Sequence, residues 1–332
     1  MKWVPLKRYE FFLTKINSYK HMKRIISLVT ITILFSYGSV FSQNTYEFLR
    51  VDMSARAGAL GGSFISYFDD ADIIFYNPAG MKLSDGSPIS FSFTKHLLDI
   101  NLASLAYSTE ISNIGRFGAA IQYINYGNFT EADEFGNRTG EFGAGELAVL
   151  LGYAGELEEN FYYGANAKII YSSIADRSSS AVALDLGIHY QIPAQQIDIA
   201  LVALNLGTQL SSYIDTNEDL PVDVAIGVSK RLENLPLRLS LDFHKLTEKR
   251  DDFIQHFKAF AIGAEFYLSK VFALRFGYDN EKRSELKVGT TAGIAGFNAG
   301  LGINISSYRF DYGYSSMGKI GALHRISLVT AF

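Results

Sequence analysis

The chain has 332 residues, 48% of them hydrophobic, with 30 Lys and Arg against 34 Asp and Glu, 25 Phe, 20 Tyr, 29 Gly and no Cys. Without Cys there is no disulfide framework, no thiolate metal site and no lipidated cysteine. Removing residues 1–42 as an export signal lowers the basic count by seven and the acidic count by one. The resulting 23 against 33, a net charge near −10, excludes the basic footprint of a nucleic-acid binder.

In chain order, the export signal comes first. Lys23 and Arg24 supply a basic start, Ile25 to Tyr37 is an apolar run shorter than the ~20 residues of a spanning helix, and Val40-Phe41-Ser42 fits a small-residue cleavage site. Met1 to His21 reads as a basic extension, with Met22 as the start. Residues 43–88 do not alternate and read as a compact plug segment. Ser54 stands where it would cap a short helix, and Asn77-Pro78 is a turn signal. Ser54, Arg56, Asn77 and Pro78 are the residues expected to shape this plug.

From 89 to 332 the pattern is that of an all-β transmembrane antiparallel barrel of about fourteen strands. Val222, Val224, Ile226 and Val228 alternate with Asp223, Ala225, Gly227 and Ser229. Leu237, Leu239, Leu241 and Phe243 alternate with Arg238, Ser240, Asp242 and His244. Apolar residues thus oppose small or polar ones, as when the apolar face meets lipid and the other face lines a lumen. Strands are expected at 89–97, 101–109, 116–126, 143–154, 161–173, 180–191, 197–207, 221–230, 237–246, 257–267, 271–279, 286–295, 299–311 and 322–332. Long connections at 127–142, 208–220, 247–256 and 312–321 alternate with short ones, the sorting of outer loops and periplasmic turns. The many inward Gly and Ala leave room for polypeptide against the wall, which favours the plug. The terminal Phe332 on an alternating last strand resembles the signal read by the barrel assembly machinery.

No catalytic residue, metal ligand or cofactor is expected. Ser240, Asp242 and His244 share one strand face, but Asp stands in the middle, with neighbours ~7 Å apart, so the order cannot relay a proton.

The opening TYEFLRVDMSARAGALGG with DDADIIFYNPAG resembles the PorV/PorQ family of Bacteroidota outer-membrane proteins. The later blocks AAIQYINYGNFTEADEFGNRTGEF, LNLGTQLSSY, LPVDVAIGVSKRL and LRLSLDFHKL are similar to its PorQ branch in order and spacing. NPAG at Asn77 to Gly80 departs towards the PorV form. The resemblance implies a barrel similar to the fourteen-stranded fatty-acid transporters. It also implies a non-enzymatic role in the type IX secretion system: an attachment complex with PorU and PorV that holds a PorZ-like protein at the surface while cargo is joined to lipopolysaccharide. The alternative is an outer-membrane transporter of hydrophobic small molecules. Loops on a rigid scaffold concentrate binding residues, and aromatic anchors with a charged rim suit an interface. Phe129, Phe135, Arg138 and Phe142 in one outer loop, Tyr213 and Ile214 in another, and Phe253 in a third are therefore the expected partner contacts.

Overall fold

The structure is a computed structural model that describes residues 45–248, 253–287 and 293–332. The expected export signal lies outside the described residues. Fourteen antiparallel strands close into one barrel, each paired with its chain neighbours and the first with the last. They are β1 (Pro88–Lys95), β2 (Asn101–Ile111), β3 (Gly115–Ala132), β4 (Arg138–Glu158), β5 (Phe161–Ile174), β6 (Arg177–Ile192), β7 (Ile197–Ser211), β8 (Asp223–Arg231), β9 (Leu237–Phe243), β10 (Phe260–Tyr267), β11 (Phe272–Asp279), β12 (Phe297–Ile305), β13 (Tyr308–Ser316) and β14 (Ala322–Ala331). Closure pairs Phe91 with Leu328 and Ser92 with Ser327.

The side-chain period of two decides which way the barrel faces. On β1 the outward Phe91 is 51% exposed while the inward Ser90, Ser92 and Thr94 are buried. The same inversion holds on β8, where Ile226 and Val228 point out and Asp223, Ala225 and Ser229 point in. A soluble sheet would bury the phenylalanines. Here they form the outer surface, the arrangement of a wall in contact with lipid.

Two strands are displaced along the chain from the sequence reading. The twelfth and thirteenth run over Phe297–Ile305 and Tyr308–Ser316, not 286–295 and 299–311. Their turn is Ser306-Ser307, with Ser306 at φ 56. It carries no Gly, Pro, Asn or Asp to announce it. Ahead of β12, a short helix, Asn280–Glu285, is capped by Asp279, whose Oδ1 accepts the Glu281 and Lys282 amides at 3.0 Å. Of 286–295, residues 288–292 lie outside the described ones, and 293–296 form a turn.

The expected loop at 127–142 is mostly strand. β3 and β4 are 18 and 21 residues long, and Phe129 pairs with Phe142 across them. Only 133–137 form the tip, where the Asp133 carboxylate accepts the Phe135 and Asn137 amides. A membrane crossing takes roughly 9–11 residues, so this hairpin overshoots it. β8 to β11 are seven to nine residues long, which leaves one side of the wall much taller than the other. β7 likewise runs on to Ser211, while its pairing with β8 ends at Leu204↔Asp223.

Residues 45–87 fill the lumen. They hold one short helix, α1 (Ala55–Ala59), and three 3-10 turns. Phe48, Leu60, Phe64, Ile65, Tyr67 and Ile73 are almost wholly buried. Two wall glycines show how close the approach is. A Cβ on Gly164 would lie 2.5 Å from the Ala79 amide nitrogen, and one on Gly277 would lie 2.2 Å from the Gly61 nitrogen. Any side chain there would drive the two backbones apart.

Candidate functional site

The lumen segment is tied to the wall by charge. Arg56 of α1 donates Nε and Nη2 to the two carboxylate oxygens of Glu265 on β10, at 2.9 and 2.7 Å. Glu265 accepts a second arginine, Arg275 of β11, at 2.7 Å. Arg275 reaches Asp311 on β13 at 2.6 Å, and Asp311 accepts Arg309 at 2.7 Å. Arg309 pairs with Asp70, which faces Arg56 at 3.5 Å. Three arginines and three acids thus close a ring that includes both segment and wall. A branch runs from Arg56 through Asp69 to Arg238, Asp198 and His189. Burial alone would push the Asp69 carboxyl up, but Arg56 and Arg238 beside it hold it far below the usual carboxylate range.

The remaining segment contacts follow local chemistry. The Asn77 side chain accepts the Ala79 amide at 3.0 Å and donates to the Ile65 carbonyl at 3.0 Å, which fixes the turn into Pro78. Ser54 occupies the position before α1, yet its hydroxyl makes no cap bond. A five-residue helix held by packing and by Arg56 stands without one. Asp72 accepts the hydroxyls of Ser90 and Ser92 on β1. Burial, and then Asp70 beside it, push the Asp72 carboxyl up to about 7.

Ser240, Asp242 and His244 are each engaged elsewhere. Asp242 accepts the Phe64 and Ile65 amides at 2.7 and 3.0 Å, Ser240 donates to the Ser63 carbonyl, and His244 bonds Asp223. The strand serves as an anchor for the segment.

A cavity of about 380 Å³ opens at the mouth opposite Phe332, lined by His96, Gln122, Leu204, His244, Lys282 and Arg325 among others. A second, of about 220 Å³, opens at the mouth where β14 ends, beside Asp69, Asp70 and Arg309. The ring and α1 stand between them.

The expected partner contacts divide. Phe135 at the hairpin tip is 82% exposed. Phe129 and Phe142 stack on one another across the hairpin at 5.3 Å, and Arg138 beside them is exposed. All four were expected on a loop; only Phe135 is, the rest being on strands. Ile214 is exposed, but Tyr213 is half-buried with its hydroxyl on Ser172 of the inner wall, because β7 carries the chain past the rim before it turns. Phe253 opens a 3-10 turn, Phe253–Lys258; its side chain is outside what the structure describes. Phe332 follows β14 with its ring exposed and its carbonyl accepting the Ser87 amide at 3.0 Å.

No protein-family model and no curated protein matches the chain. Solved structures do. The toluene transporter TodX of P. putida superposes with a TM-score of 0.58 at 12% identity, over 85% of this chain and 99% of that one. The toluene transporter TbuX of Ralstonia pickettii gives 0.56 at 13%, over 83% and 96%. A FadL homologue of Pseudomonas aeruginosa gives 0.54 at 9%, over 88% and 99%. The chain has the fold of these barrels; identities this low show the fold alone.

Proposed function

We propose that this chain is a non-enzymatic outer-membrane barrel with a closed lumen, whose tall β3–β4 wall meets a partner at the cell surface. The observation that carries this reading is the ring of Arg56, Glu265, Arg275, Asp311, Arg309 and Asp70, which fills the lumen with paired charge where a passage would need space. The apolar outer belt supports the membrane setting, with the end of β14 at the periplasmic mouth and the hairpin outside. The finer assignment rests on the sequence resemblance: a PorQ-like part of type IX secretion, holding a PorZ-like protein beside PorU and PorV near lipopolysaccharide.

A second reading, a transporter of hydrophobic small molecules, has its own support. The structures named above are hydrocarbon transporters or a FadL homologue, and the cavity at the outer mouth offers an entrance. The comparisons support this reading better than the type IX role, although fold is a weak guide to function. Co-purification from native outer membrane, together with toluene uptake by cells with and without the protein, separates the two. Stable recovery of a surface protein with unchanged uptake is expected. Lost uptake in the deletion strain, with no partner recovered, would make the transporter reading the correct one.

A further inference from the structure

Of the five arginines buried among the described residues, four face a carboxylate within 4 Å: Arg56, Arg116, Arg238 and Arg275. The fifth, Arg325 on β14, has no such partner among the described residues. It is 1% exposed, and its bonds go to neutral acceptors, the Asp52 carbonyl at 3.0 Å and the Ser315 hydroxyl at 2.7 Å. The nearby Asp52 carboxylate is engaged by Lys282 at 3.1 Å instead. A buried charge with no ion pair of its own is costly; Asp52 acts on this one only from beyond ion-pair distance, and it lines the outer cavity. Two further polar groups on the same lining are also unsatisfied. Gln122, 4% exposed, has no acceptor for its Nε2, and His96 has no partner on Nδ1.

We propose that the outer cavity binds a small hydroxylated monocarboxylate, of the sugar-acid kind. The carboxylate supplies the direct ion pair that Arg325 lacks, and an oxygen elsewhere on the ligand accepts the Gln122 amide. The rim argues for a single negative charge, since Glu285 and the ion-paired Glu47 and Glu281 also line the cavity; they would disfavour a second anionic group and accept hydrogen bonds from hydroxyls. About 380 Å³ falls within the range of small-molecule sites. A long hydrocarbon chain would have to lie against these charged groups and desolvate them. The proposal holds whether the barrel is a scaffold or a passage, because it concerns the cavity alone.

The test is calorimetric titration of the purified mature protein in detergent with D-glucuronate, D-glucose and decanoate. Glucuronate binds, glucose binds at least about tenfold more weakly, and decanoate neither binds there nor competes. Gln122→Leu, which removes no existing bond of that nitrogen, weakens glucuronate about tenfold, the scale of one buried polar group left unpaired. Arg325→Gln abolishes binding. Because Arg325 also ties Asp52 and Ser315, the Gln122 variant decides if the Arg325 variant misfolds. Absent glucuronate binding, equal binding of glucose, displacement by decanoate, or wild-type affinity in Gln122→Leu would each overturn the proposal.

Discussion

Arg56 and Glu265 are 209 residues apart in the chain and meet through two parallel hydrogen bonds of 2.9 and 2.7 Å inside the barrel. A planar guanidinium matches a carboxylate in this way and an ammonium does not. Arg56→Met leaves Glu265 and Asp70 short of a counter-charge and is expected to destabilise the folded barrel by about 3–5 kcal/mol, read as a lower urea midpoint. Arg56→Lys falls between that variant and the wild type. Pairing Arg56→Met with Glu265→Leu is expected to restore part of the loss, since an apolar pair replaces a half-broken ionic one.

Asp72 sets a pH dependence of the opposite sign to a salt-bridged acid. Its pKa is raised, to about 7, so the folded state holds a proton that the unfolded chain has released. Its contribution to stability is therefore full below the unfolded pKa near 4 and is lost as pH rises through 7. Asp72→Asn, which cannot ionise, is expected to gain on the wild type between pH 5 and pH 8, with thermal melts in detergent as the measurement. A gap that stays constant over that range would show the carboxylate to be charged throughout.

The outward belt predicts a depth-dependent cost. Ile226 lies mid-strand on β8 and faces out, so Ile226→Arg is expected to cost about 2–4 kcal/mol in bilayers. Leu210, on the upper part of β7 beyond its pairing with β8, is 63% exposed, and Leu210→Arg should cost about 0–1 kcal/mol. Ser229, by its sequence position a tolerant lumen site, is not one: its hydroxyl accepts Arg238 at 2.9 Å and the position is buried. Arginine there would meet Arg238.

At the surface, Phe135 is the residue best placed to enter a partner. Phe135→Ala is expected to reduce partner retention from native membranes about tenfold with barrel assembly unchanged, as for an aromatic anchor. Tyr213→Ala loses the bond to Ser172 and should weaken the barrel instead. Equal partner yields from wild type and Phe135→Ala would move the interface off the hairpin tip.

The barrel was legible because alternation survives in a single sequence. Phe91, Phe93, Ile226 and Leu239 each announce an outward face, and Arg238, Asp242 and Arg275 an inward one. The turn at Ser306-Ser307 was not legible, since nothing in its composition interrupts the pattern. Nor was the tall hairpin, whose Gly, Asn and acidic residues read as loop although they pair across two strands. The site was half visible. Arg56 stood out as a charge in the lumen segment, but Glu265 and Asp311 become its neighbours only once the barrel closes. Arg325 and Gln122 carry no sequence signal at all, because what distinguishes them is the partner each lacks.

The closed lumen is the central claim, and single-channel recording in planar bilayers tests it most directly. The intact mature protein is expected to show little conductance, and deletion of residues 44–86 to produce a large steady one. A large steady conductance from the intact protein would contradict the account.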